Sequence, residues 1–99
     1  MAKAKIGETR LFYAPALSHL ANFYQAQARY GDAEQFFKQS LAIYEKAHGP
    51  EHSHVAMTLN NLAVLHSNLR DNGRALDLIR RVVAIYRSRS LAVGRQDEA

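Results

Sequence analysis

His48, His52 and His54 fall within one short stretch of the chain, His48-Gly49-Pro50-Glu51-His52-Ser53-His54. Imidazole nitrogens ligate metals, so His52-x-His54 together with His48 carries the residue types for a metal centre. The stretch reads as a loop, however, and no Asp or Cys completes an obvious ligand set, so no metal is expected there. Nucleophilic catalysis would need a hydroxyl, a base and an orienting acid brought together. Ser18 and His19 are neighbours in sequence, and on a helix neighbours point about 100° apart, which excludes a dyad from that spacing. Gly7, Gly31, Gly49, Gly73 and Gly94 stand singly, so no glycine-rich loop can cradle a phosphate. The chain contains no cysteine, which removes thiolate zinc sites, iron–sulfur clusters, disulfides and cysteine nucleophiles. An enzyme is not expected, and neither is a cofactor.

Whatever the function, one domain must carry it. The 99 residues are 47% hydrophobic and 22% charged, and single domains run to roughly 100–200 residues. A compact chain of this size buries roughly 65% of the surface its unfolded form exposes, enough for a core without metal or disulfide support. The opening Met1-Ala2-Lys3-Ala4-Lys5-Ile6-Gly7-Glu8 lacks the apolar stretch of a secretory signal. The longest apolar run, Val82–Tyr86, is bounded by Arg81 and Arg87, far short of a membrane span. A cytoplasmic location is the default expectation. The net charge of +4 has a local origin, because residues 74–89 hold Arg74, Arg80, Arg81, Arg87 and Arg89 against Asp77 alone. Such a cluster could draw an acidic surface or a nucleic acid, but arginines on a helix more often form a solvated face, and the aromatic residues sit at core-periodic positions rather than on a base-stacking surface.

The strongest signal is internal repetition. At an offset of 42, Leu17, Leu20, Ala21, Gly31, Ala33, Ala42, Ile43 and Tyr44 fall on Leu59, Leu62, Ala63, Gly73, Ala75, Ala84, Ile85 and Tyr86 without a gap. Phe23 falls on Leu65, Phe36 on Leu78, Phe37 on Ile79 and Leu41 on Val83. Gly7 on Gly49 and Ala14 on Ala56 place the N-terminus where an inter-repeat connection would be. The expected order is a connector over 1–13, repeat one over 14–47, a connector over 48–52, repeat two over 53–89 and a tail over 90–99.

Each repeat resolves into two helices by the 3.6-residue period. Helix A of repeat one is expected over 14–29, with Leu17, Leu20, Ala21, Tyr24 and Ala28 on one face and Pro15 in its leading turn. Tyr30-Gly31-Asp32 is read as the turn, with Gly31 left-handed and Asp32 as the next N-cap. Helix B carries Ala33, Phe36, Phe37, Ser40, Leu41 and Tyr44 and ends near Ala47, before His48-Gly49-Pro50. In repeat two, helix A spans 53–69 with Val55, Leu59, Leu62, Ala63, His66 and Leu69. The turn is Arg70-Asp71-Asn72-Gly73, and helix B spans 74–89. The small residues Ala21, Ala33, Ala63 and Ala75 permit close helix approach, with Phe37 and Ile79 filling the gap. His66 falls on Tyr24 and is expected to be a packed, hydrogen-bonded core histidine.

These residues resemble the tetratricopeptide repeat, whose pattern is W-x2-L-G-x2-Y, then A-x3-F, then P. Leu17, Leu20, Ala21, Tyr24, Ala33 and Phe37 occupy the pattern in repeat one, and Leu59, Leu62, Ala63, His66, Ala75 and Ile79 in repeat two. The closing Pro is replaced by Glu45 and Arg87, and the period is 42 rather than about 34. The longer second helix, the connector Tyr44–His52 and Leu59-Asn60-Asn61-Leu62-Ala63 are similar to the repeats of kinesin light chains and their bacterial relatives. The resemblance implies an all-α fold of two tandem helix-turn-helix repeats, a fragment of a right-handed α-solenoid. It also accounts for the histidine-bearing stretch as a polar connector.

Family arrays receive peptides on a concave surface lined by the A helices. Carried over, those positions are Ser18, His19, Asn22 and Gln25 in repeat one and Asn60, Asn61, Val64 and Asn68 in repeat two. Amide side chains suit a ligand backbone, because they both donate and accept. The implied function is a non-catalytic scaffold that binds a protein or peptide segment. Repeat proteins generally need three or more units, and helix B of repeat two presents Leu76, Ile79, Val83 and Tyr86 without a following helix. The chain is therefore expected either to belong to a longer array or, with Met1 read as a natural start, to be completed by self-association as a homo-oligomer. A self-associating structural subunit is the second functional reading. Binding of nucleic acid or an acidic surface by Arg80, Arg81, Arg87 and Arg89 ranks below both.

Overall fold

The computed structural model describes the backbone of residues 2–98 and the side chains of residues 11–91. The described residues form helices only: α1 (Ala2–Ala26), α2 (Tyr30–His48), α3 (Ser53–Asn68) and α4 (Asn72–Glu98). Helices α1 and α2 pack as one antiparallel hairpin and α3 and α4 as another, with α2 against α3 joining them. The fold is all-α, two tandem helix-turn-helix repeats, as the 42-residue periodicity requires. A radius of gyration of 15.2 Å exceeds the about 13 Å of a globule of this length, which fits side-by-side stacking of hairpins.

Two of the helices are longer than their repeat units. α1 starts at Ala2, so the stretch before residue 14 is helical rather than a connector, and Pro15 lies inside the helix rather than in its leading turn. Good helix formers dominate that stretch, and the helix runs on through Pro15 although its ring removes one N–H donor and crowds the carbonyl four residues before it. At the other end α4 runs on through the expected tail to Glu98.

The two intra-repeat turns follow one design. Arg29 N–H donates to the Tyr24 carbonyl at 2.9 Å and Ala28 N–H to Gln25 at 3.0 Å; Asp71 N–H donates to His66 at 2.8 Å and Arg70 N–H to Ser67 at 2.9 Å. These paired bonds close a Schellman turn. Its left-handed residue is Ala28 (φ 61°) in one repeat and Arg70 (φ 62°) in the other. The expectation of a left-handed Gly31 is therefore corrected, since Gly31 and Gly73 lie in the first turns of α2 and α4. Backbone bonding dictated the turn, and it falls three residues before the glycine. Asp32 is likewise inside α2, where it pairs with Arg29 at 2.7 Å, whereas Asp71 caps α4 by accepting from Arg74 N–H at 3.3 Å.

The core has two clusters. Ala14, Tyr44, Val55, Ala56, Leu59, Val82 and Ile85 draw on all four helices. Ala21, Ala33, Phe37, Leu62 and Leu65 fill the space between α1, α2 and α3. Ala21, Ala33 and Ala63 are buried as expected of close-approach positions. The α1–α2 seam also holds a polar relay: the fully buried Ser40 donates to the Ala14 carbonyl at 2.8 Å. That bond uses its single proton, so Ser18 Oγ, 2.8 Å away, is the donor to Ser40.

Candidate functional site

The A-helix positions expected to meet a ligand fall into two groups. His19 and Asn22 on α1 and Asn60, Val64 and Asn68 on α3 are exposed. Gln25 and Asn61 are half-buried. Ser18 is committed to the seam with Ser40 and offers a ligand little. Exposed apolar side chains that the polar pattern did not single out, Phe23 on α1 and Met57 on α3, lie on the same two helices.

His66 is buried, as its alignment with Tyr24 implied. Its hydrogen bonding is not as expected: Nδ1 has no partner, and Asp71 Oδ2 lies 4.0 Å away, beyond hydrogen-bond reach. Asp71 instead serves Arg74, through the cap and a 3.4 Å ion pair. Its repeat mate Tyr24 is only half-buried, with its ring stacked on Phe36, centroids 5.6 Å apart, beneath the Arg29 guanidinium. An unsatisfied buried polar atom costs about 1–3 kcal/mol. His66→Phe is therefore expected to raise stability by about 1 kcal/mol, measured by urea denaturation; an unchanged or lower midpoint would show that Nδ1 is satisfied in solution.

At the junction of α2 and α3, tertiary structure gathers three rings that the sequence left on a loop. Gly49 ends α2 with φ 88° and ψ 165°, a conformation essentially reserved for glycine. That reversal stacks His48 on His52, centroids 4.1 Å apart, and brings His54 within 4.9 Å of His52 and 5.5 Å of His48. Buried Tyr44 lies beneath, 4.9 Å from the His54 ring, and burial pushes its phenol pKa up. His52 Nδ1 accepts from His54 N–H at 3.1 Å and so caps α3. Desolvation, the neighbouring imidazoles and Arg89 together hold the His52 pKa below its ordinary value.

The two end faces of the stack are bare in register. On α3, Val55, Thr58, Leu62 and Leu65 are buried; their counterparts 42 residues earlier, Tyr13, Ala16, Leu20 and Phe23, are exposed on α1. On α2, Phe37 and Tyr44 are buried and Leu41 half-buried, whereas their counterparts Ile79, Tyr86 and Val83 are exposed on α4. Leu76 extends the same exposed face.

No helix among the described residues is long and apolar enough to cross a membrane. A search of curated proteins finds no match to the chain. The sequence profile described as tetratricopeptide repeat matches residues 12–88, the span that holds most of both hairpins and the connection between them. The chain belongs to the tetratricopeptide repeat family, whose members generally mediate protein–protein interactions.

Proposed function

We propose that the chain is a non-catalytic scaffold module that binds a peptide or protein segment along the concave surface of α1 and α3, in the manner of kinesin-light-chain-like repeats, in the cytoplasm. The observation that carries this reading is the exposed polar side chains that each A helix presents, His19 and Asn22 on α1 and Asn60 and Asn68 on α3. Asn61 is half-buried, and its amide can bond a ligand backbone whatever the ligand's side chains. Asn61→Ala is expected to weaken binding of a peptide selected from an array about tenfold, as loss of a ligand hydrogen bond worth about 1.5 kcal/mol would. Circular dichroism should stay at the parent level. Equal affinity of parent and variant would remove Asn61 from the surface.

A second reading, self-association as a homo-oligomer, is favoured by the matched bare faces. The α4 face of Leu76, Ile79, Val83 and Tyr86 repeats the face through which α2 packs on α3. The α1 face of Tyr13, Ala16, Leu20 and Phe23 repeats the surface that α3 offers in return. A second copy stacked head to tail would reproduce the internal α2–α3 contact, and such a heterologous contact extends without closing. Sedimentation of the parent is expected to show mass rising with concentration, and Ile79→Glu is expected to hold the chain monomeric. A monomeric parent at every concentration would leave the bare faces to neighbouring repeats of a longer array.

A further inference from the structure

The geometry points to a divalent transition-metal site, of the zinc class, formed by His48, His52 and His54 at the α2–α3 junction. One ligand atom from each of the three histidines lies within 4.8 Å of the other two. Tetrahedral coordination at about 2.0–2.1 Å from the metal sets nitrogens roughly 3.3 Å apart, so the rings must close by up to about 1.5 Å. They can do so by side-chain rotation, since His48 and His54 are exposed and Gly49 has already folded the backbone back. Tyr44 provides a rigid floor under His48 and His54, and the exposed side leaves room for solvent to complete the coordination sphere.

The donor set selects the ion. Imidazoles without a carboxylate suit zinc, copper or nickel rather than the oxygen-seeking calcium or magnesium. Local charge acts in both directions. The C-terminal end of α2 at His48 favours a cation, while Arg89 from α4 opposes one at His52. Glu45 is engaged by Arg81 at 3.2 Å, and Glu51 faces Ser88.

Binding also has a structural consequence that no unrelated surface site would share. The His52 lone pair at Nδ1 accepts the His54 amide. A neutral imidazole that ligates through either nitrogen carries its proton on the other, so coordination through Nε2 protonates Nδ1, and coordination through Nδ1 uses its lone pair. Either way the His54 amide loses its acceptor when the metal binds.

The test is titration of the tag-free chain with zinc chloride at neutral pH by calorimetry, followed by amide and imidazole NMR. The expected result is one zinc ion per chain, shifts in the rings of His48, His52 and His54 but not His19 or His66, and a displaced His54 amide. His48→Asn, His52→Asn and His54→Asn should each weaken zinc binding by at least about tenfold, the loss that removal of even an outer-shell partner produces. Asn at position 52 retains capping ability, and if that variant nevertheless failed to fold, the exposed positions 48 and 54 would carry the test. Arg89→Ala should tighten binding. No zinc uptake, one zinc shared between two chains, or affinity unchanged by His48→Asn and His54→Asn would each overturn the site.

Discussion

Phe37→Ala is expected to lower stability by about 3–5 kcal/mol, the range for emptying a buried aromatic position. Phe37 is fully buried among Ala21, Ala33, Leu62 and Leu65, so its ring is shared by α1, α2 and α3 and holds the first hairpin against the second. A chain of this length has about 5–15 kcal/mol in total, and the thermal midpoint should fall by more than about 12 °C. Ile79 occupies the same repeat position but is 36% exposed. Ile79→Ala should therefore cost far less, and comparable losses at the two sites would mean that α4 is covered in solution.

Leu59→Ala is the second large effect, about 2–5 kcal/mol. Leu59 is fully buried in the cluster that draws Ala14, Tyr44, Val55, Ala56, Val82 and Ile85 from all four helices. Truncation there weakens both intra-repeat hairpins and the contact between them. Its repeat mate Leu17 is only half-buried, and Leu17→Ala should cost visibly less in the same denaturation assay. If instead Leu59→Ala shifted the midpoint by under about 1 kcal/mol, the cluster would not be a common core. Combined with Phe37→Ala, the loss approaches the whole stability of the chain, and the double variant should be unfolded at 25 °C.

Both contrasts expose what the repeat could and could not reveal. Helix existence, the pairing of helices into hairpins and the close-approach positions Ala21, Ala33 and Ala63 were legible because hydrophobic period and small-residue spacing are local properties. They hold wherever the segment is placed. The turns were located less well. Gly31 attracted the left-handed assignment by residue type, yet backbone hydrogen bonds put that conformation at Ala28 in the first turn and at Arg70 in the second. The expected polar row on the A helices proved mostly exposed, but Ser18 was drawn into the α1–α2 seam because Ser40, across it, needed its own proton for the Ala14 carbonyl.

His66 and the junction histidines mark the same divide. Alignment with Tyr24 correctly placed His66 in the interior, but whether Nδ1 finds a partner depends on where Asp71 points, a matter of ångströms that spacing does not encode. His48, His52 and His54 looked like a polar connector without a complete ligand set. Only the reversal at Gly49 and the floor of Tyr44 bring their rings together.

From the amino-acid order alone, then, came the all-α class, the two hairpins, their 42-residue register and the family they resemble. Three-dimensional packing alone decided which of two equivalent positions is buried. Phe37 and Ile79, or Leu65 and Phe23, have matching periodicity but different neighbours, because α2 and α3 cover each other while, among the described residues, nothing packs on the outward faces of α1 and α4. Periodicity is written along one helix, whereas burial is a property of two.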